Sequence, residues 1–408
     1  MKSKNRSVVI QSLLVAFFAD IRCINWGLTQ GGFVGEGVMS ALYVGVVGLI
    51  VLSVLFSSNN IISGFSGYSI FLPLYLLLFY ALTTVLVDAP VVSIPFFLIF
   101  TITAFLIPFI TRVDSKLMLK AMMIYPCFAI LRLQSVFASS LSWKMLLPMD
   151  VSYGYLVPIV ANIVYLKFYY KGETFLQKCI TLISSLINLV FFIYILLFGS
   201  RGPLLCIFLL LCVLWCLKIE SSIKVSFSKL RLKVIIIAGL VFMAFFVPLL
   251  SFIEGELSKN GIEIEAISKM IRLQDEDGDL SNGRNYLNTL TWDGILASPL
   301  LGNGLDQFDN NYPGESYPHN FLLQILYDGG IWLFLILSPI FIRSIKFLRS
   351  RTYNEYAMYM TLFFASVPGA LFSQDLWAIP ILWMFFGLSV SKIFVAESKS
   401  QIIYTPSK

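Results

Sequence analysis

The chain has 408 residues, 58% hydrophobic and 15% aromatic but only 13% charged, with a mean hydropathy of +0.83 and a net charge of +6. Soluble domains carry about 25% charged residues, so this composition excludes a soluble globular enzyme and a disordered chain, and the thin spread of positive charge excludes a nucleic-acid-binding face. Apolar runs of about 20 residues make lipid the solvent for most of the chain, which reads as an all-α polytopic integral membrane protein.

In chain order, Lys2 to Arg6 precede an apolar run from Val8 to Ile21 that has no small-residue cleavage site, so it opens a first span that stays. Hydropathy predicts about twelve spans, at 8–27, 38–57, 68–87, 91–111, 117–137, 151–169, 178–198, 203–218, 234–252, 320–342, 356–373 and 376–395. Backbone groups in lipid must be satisfied internally, and alternating strand patterns are absent, so the spans are helices and an outer-membrane barrel is excluded. Alternate connections between them hold 20 of the 29 Lys and Arg residues, which places both termini in the cytoplasm.

Residues 1–252 then hold spans one to nine, 253–318 form one large loop on the opposite face, and 319–408 hold spans ten to twelve and a cytoplasmic tail. The 66-residue loop carries twelve acids against four bases, so it belongs outside, as a folded cap. Within it Arg284 to Leu301 has helical spacing with Tyr286, Leu287, Leu290, Trp292, Ile295 and Leu296, the pattern of a helix lying on the membrane or on the bundle. All six cysteines lie in or beside apolar runs, which argues against a disulfide framework. The run Asp275-Glu276-Asp277-Gly278-Asp279 fails as a calcium loop, with Leu280 where glycine is needed and no glutamate at the twelfth position. One histidine and no loop cysteine give no zinc site, and no P-loop or dinucleotide fingerprint is present.

Ionisable residues at membrane depth are functional candidates by default. Asp20, Arg22, Asp88, Arg132, Arg201, Asp328 and Asp375 lie within or at the ends of spans, with His319 at the start of the tenth. The tight turn Phe198-Gly199-Ser200-Arg201-Gly202-Pro203 sets Arg201 at a helix start that Ser200 or Gly202 can cap, a place that favours an anion and serves equally well for an interfacial anchor. Tyr317-Pro318-His319-Asn320 leads back into the membrane. Asn320, Gln324 and Asp328 follow at four-residue steps, a polar stripe that suits either a site with His319 as general base or glue between helices. Ser281 or Asn282 can cap the loop helix, with Arg284 in its first turn as a second phosphate contact or as a partner of nearby acids.

Gly199-Ser200-Arg201-Gly202 between two spans, Asn282-Gly283-Arg284 followed by Trp292 and by Ser298-Pro299-Leu300-Leu301-Gly302-Asn303-Gly304, and then Pro318-His319-Asn320 before an apolar helix form an ordered set. The set resembles the O-antigen polymerase (Wzy-type) and O-antigen ligase family over about Leu196 to Leu335. The family's His-Asn, nine residues, Gly signature is met by His319, Asn320 and Gly330, although Leu333 departs from the residues usual three positions on. The resemblance implies a GT-C-like fold and metal-independent, cofactor-free, inverting glycosyl transfer at the periplasmic face of the bacterial inner membrane. Its donor would be a glycan on undecaprenyl diphosphate, and Arg201, Arg284 and His319 would be catalytic. Ser200, Asn320, Gln324 and Asp328 are the expected substrate contacts. The lipid bilayer and a polysaccharide chain-length regulator are the expected partners, with no nucleic acid. Polymerisation of repeat units into O-antigen is the leading expectation. The alternatives are an O-antigen ligase acting on lipid A-core, a capsule or exopolysaccharide polymerase, and, from another class, a secondary transporter.

Overall fold

The computed structural model describes residues 2–29, 37–57, 66–87, 97–129, 148–198, 201–221, 224–227, 231, 233–234, 255, 259, 284–315, 317–347, 352–391 and 394. Nearly every apolar run in that set is a helix. In order these are α1 (Lys2–Thr29), α2 (Gly37–Leu55), α3 (Gly67–Val87), α4 (Ala104–Ile110), α5 (Ser115–Ile124), α6 (Pro148–Phe168), α7 (Phe175–Phe198), α8 (Arg201–Cys216), α9 (Arg284–Ala297), α10 (Phe308–Asn311), α11 (Phe321–Phe347), α12 (Tyr353–Phe372) and α13 (Pro380–Val390). Four of them, over Arg6–Ile24, Gly67–Val85, Phe175–Leu196 and Phe321–Ile345, are long and apolar enough to cross a membrane, and shorter apolar helices accompany them.

Local chemistry sets the boundaries. Asp114 caps α5 by accepting the Leu117 N–H at 2.9 Å. Thr352 and Glu355 form a reciprocal capping box at the start of α12, and Pro380 opens α13, where a missing N–H does no harm. Three predicted boundaries change. The fourth span enters α4 through a π-helical stretch, Leu98–Thr103. The fifth is α-helical only to Ile124 and tightens to a 3₁₀ stretch, Tyr125–Ala129, where Pro126 removes an N–H. The twelfth begins as a 3₁₀ turn, Leu376–Ala378, capped by Asp375, and becomes α-helical only at Pro380. The connection after α8 starts with a hairpin, β1 (Leu217–Ser221) against β2 (Lys224–Phe227), antiparallel with Leu217 opposite Phe227. The predicted ninth span, 234–252, lies outside the described residues apart from Val234, as do the acidic run 275–279, Asp88, Arg132 and the cap candidates Ser281 and Asn282.

The core centres on α6 and α12, which pack on each other and are buried almost all round, as helices inside a bundle are. α5 and α8 lean on this pair, while α13 lies between α4, α11 and α12. Large apolar side chains point outward on α2, α3, α7 and α8, among them Leu52, Leu74, Leu186 and Phe208, the arrangement expected where lipid is the solvent. All six cysteines are free.

Candidate functional site

Three of the described elements converge on one tyrosine. Tyr153, one turn into α6, is buried, and its hydroxyl is hydrogen-bonded to the Ser373 hydroxyl at the end of α12. Its ring lies in a slot made by two glycines. A Cβ on Gly202 of α8 would stand 1.9 Å from the Tyr153 hydroxyl oxygen, and one on Gly369 of α12 would stand 2.7 Å from its ring. No larger residue than glycine fits this approach at position 202, one residue after Arg201. α8 begins at Arg201, so Gly202 is inside the helix and is not its cap. Ser200 and the Arg201 side chain lie outside what the structure describes.

The segment that carries the histidine joins the same junction. The Tyr317 hydroxyl donates to the Ser373 carbonyl at 3.0 Å, and the Tyr317 ring lies against the His319 ring with centroids 4.6 Å apart. His319 Nδ1 stands 3.1 Å from the Tyr317 carbonyl. A carbonyl can only accept, so the proton of the neutral ring sits on Nδ1 and Nε2 is left with its lone pair. Burial pushes the His319 pKa below its ordinary 6.5, and the Arg284 guanidinium pushes the same way, while the Tyr317 carbonyl and the Glu315 carboxylate oppose them. Arg284, half-buried at the start of α9, is also within Coulombic reach of the Tyr153 hydroxyl. Arg284 and His319, 35 positions apart in sequence, therefore share one electrostatic environment, next to the first turn of the helix that Arg201 opens.

The remaining predicted contacts that the structure describes have protein partners. Asn320 Oδ1 accepts the N–H groups of Leu322 at 3.0 Å and Leu323 at 3.4 Å, which makes it the N-cap of α11. Gln324 is buried and doubly engaged: its Nε2 donates to Asp375 Oδ1 at 2.6 Å and its Oε1 accepts the Leu376 N–H at 2.9 Å. Asp328 is fully buried and accepts the Trp377 indole N–H at 2.6 Å. The stripe thus fastens the 373–377 segment to α11. Arg22 reaches the same segment electrostatically, through Asp375. Asp20 is buried on α1, and among the described residues neither carboxylate oxygen has a hydrogen-bond partner. Among the described residues no group of three His, Cys, Asp or Glu side chains is placed to hold a metal ion.

Sequence reasoning missed Tyr153, Ser373 and Tyr317. Tyr317 had a signal, its place beside the histidine. Tyr153 is one of 19 tyrosines, and Ser373 is 220 residues away from it, so only the packing of α6 on α12 reveals the pair.

A family model described as O-antigen ligase matches residues 186–338. The matched segment runs from α7 through α8 and α9 into α11, and it contains Arg201, Arg284 and His319. The match falls on the segment that carries the three motifs and is consistent with the O-antigen polymerase and ligase family that they resemble. No curated protein matches the chain.

Proposed function

We propose that this membrane protein polymerises oligosaccharide repeat units carried on undecaprenyl diphosphate into O-antigen, at the periplasmic face of the inner membrane. The observation that carries the reading is the junction at Tyr153 and Ser373. It draws together the histidine segment, the arginine of the loop helix and the start of the helix that Arg201 opens, all inside the family domain. In this reading about twelve spans in a GT-C-like arrangement hold the site under the 253–318 loop.

The step is an inverting glycosyl transfer. His319 Nε2 takes the proton of an acceptor sugar hydroxyl, that oxygen forms the new bond to the donor's anomeric carbon, and the bond from that carbon to the diphosphate oxygen breaks. The departing diphosphate gains negative charge as the bond breaks. Arg201 and Arg284 stabilise that charge in a site shielded from water, where fixed cations favour the transition state over the ground state. Ser200 and Asn320 lie next to these groups in sequence and are the nearest candidates for hydroxyl contacts. Because the arginines carry the leaving-group charge, a chelator is expected to leave polymer synthesis intact, and a loss that magnesium restores would contradict this division of labour.

The matched model's own description favours a second reading, transfer of finished polymer to lipid A-core. Deleting the gene and resolving lipopolysaccharide beside lipid-linked polymer separates the two. Core bearing a single repeat with no ladder supports the polymerase. Bare core with polymer accumulating on its lipid carrier supports the ligase, and an unchanged pattern overturns both.

A further inference from the structure

The long loop reaches below the surface that it was expected to cover. Residues 299–304 lie against α11 backbone to backbone. The Asn303 N–H donates to the Tyr327 carbonyl at 2.8 Å and that of Gly304 to the Asp328 carbonyl at 2.9 Å. In return the Ile331 N–H donates to the Pro299 carbonyl at 3.0 Å and that of Trp332 to the Leu300 carbonyl at 3.4 Å. These bonds bracket Gly330, whose φ of 60° and ψ of −159° interrupt the helix, and they replace partners that the interruption removes. Irregular backbone at membrane depth is tolerated only when it is satisfied in this way.

Depth follows from α11 itself. About 20 residues cross the hydrocarbon, and counting back from Arg343 puts the loop-side edge near Leu323. Trp332 then lies roughly 13 Å inside at about 1.5 Å per residue, and Leu300 is hydrogen-bonded to it. α9 descends in step with α11: Arg284 is within Coulombic reach of His319, Gly294 packs on Tyr327, and Leu300 meets Trp332.

The side chains follow the same gradient. Leu287, Thr291, Gly294 and Ile295 of α9 are buried toward Tyr327 and Phe308. The exposed polar residues of α9, Asn285, Thr289 and Asp293, all lie above the level of Tyr327. Below it the exposed side chains are apolar: Leu296, Leu300 and Leu301 are 72%, 61% and 72% exposed, and they continue into Trp332 and Leu335 on the outward face of α11. That continuity with the surface of a span identifies what covers them.

We propose that residues 292–301 form a re-entrant element whose outward face meets lipid acyl chains, with Trp292 at headgroup level and Leu301 in the hydrocarbon. The inference rests on α11 crossing the bilayer and is independent of which glycan the site handles. Arg284 stays at the aqueous boundary, within Coulombic reach of His319, and the Ser-Pro-Leu-Leu-Gly-Asn-Gly stretch becomes a membrane anchor for the loop.

The full-length protein in phosphatidylglycerol nanodiscs, which leave both faces accessible, tests this with Leu301→Cys and Asp309→Cys, each read above the labelling of the six native thiols. A charged maleimide is expected to label Leu301→Cys at least tenfold more slowly than Asp309→Cys, while an apolar pyrene maleimide labels both readily. Equal rates with the charged reagent would place Leu301 in water. That result overturns the proposal; failure of both reagents at Leu301→Cys, where a thiol in hydrocarbon stays protonated, passes the decision to the fluorescence variant Leu301→Trp. Should Leu301→Cys not fold, Leu301→Trp replaces it. Its added fluorescence is expected to be quenched by acyl-brominated lipid, and lack of quenching overturns the proposal equally.

Discussion

At the scale of single residues, the histidine's surroundings set a pH rule. Burial and the Arg284 guanidinium hold His319 below its ordinary value, so the neutral imidazole that the proposed base role needs is the main form at pH 7. Protonation abolishes it only as pH falls through that lowered value. Transfer measured as kcat/KM on lipid-linked substrate is therefore expected to be flat near neutrality, with a single acid limb below pH 6.5. Glu315 raises the same pKa, so Glu315→Gln is expected to move the limb to lower pH with an unchanged plateau; a limb that stays put would show that another group titrates. His319→Ala is expected to lose activity by at least about 100-fold, the range typical of general-base removal, at normal protein levels. Full activity in that variant would end the base assignment. Arg201→Lys is expected to be badly impaired, since an ammonium does not present the guanidinium fork to two phosphate oxygens, and near-normal turnover would favour the anchor role instead.

At the scale of elements, the question is how α6, α8 and α12 are held in register, and Tyr153 answers it. Gly202→Ala would set a methyl 1.9 Å from the Tyr153 hydroxyl oxygen, so α8 has to move and Arg201 moves with it; activity is expected to fall by at least about 100-fold, in line with displacing a catalytic group by about 1 Å. Tyr153→Phe keeps the ring in its slot and forfeits the Ser373 bond, at about 1–3 kcal/mol of stability for the hydroxyl left unpaired. Combined, the two changes are expected to recover much of the lost turnover, because without the hydroxyl the nearest ring atom is 3.0 Å from the new methyl. A double variant as poor as Gly202→Ala alone would show that the register is held elsewhere. Gly330→Ala forces an L residue into a conformation that essentially only glycine adopts and drives its Cβ to 2.4 Å from the Leu300 carbonyl oxygen, so little folded protein is expected in the membrane fraction. The same elements show what a sequence can disclose. Apolar periodicity located α2, α3, α6, α7, α8 and α12 to within about three residues, and α1 and α11 with one end five or six residues short, because each buries its own hydrogen bonds and needs no neighbour to be helical. The break at Gly330 was invisible, since it depends on carbonyls that residues 299 and 300 supply. Gln324 and Asp328 read as a polar stripe, but their protein partners lie in the 373–377 segment about 50 residues away and could not be read from local spacing.

At the scale of the whole molecule, two groups of polar contacts stand apart, and their separation bears on orientation. One group joins Gln11 Oε1 and Ser12 Oγ to the N–H groups of Arg112 and Asp114 at 2.8 Å each, and the Val113 N–H to the Phe394 carbonyl at 2.7 Å. It also joins Tyr169 to Asn354 at 3.0 Å, and Lys120 to Glu173 at 2.5 Å, a carboxylate that Tyr165 and Thr181 also hold. The other group holds Tyr153, Ser373, Tyr317, His319, Gln324 and Asp375. The first set lies among the connections rich in Lys and Arg and the second opens onto the acidic loop, so packing and the charge rule agree on which ends belong together. Alkaline phosphatase fused after Gly172, Gly314 and Lys408 reads the result, since it folds to activity only on the periplasmic side. The fusion after Gly314 is expected to be at least tenfold more active than the other two. Activity after Gly172 would invert the protein and move His319 to the cytoplasm. A lipid-linked glycan presented at the periplasmic face could not reach it there, so this outcome would remove the proposed reaction even with every contact at the site intact.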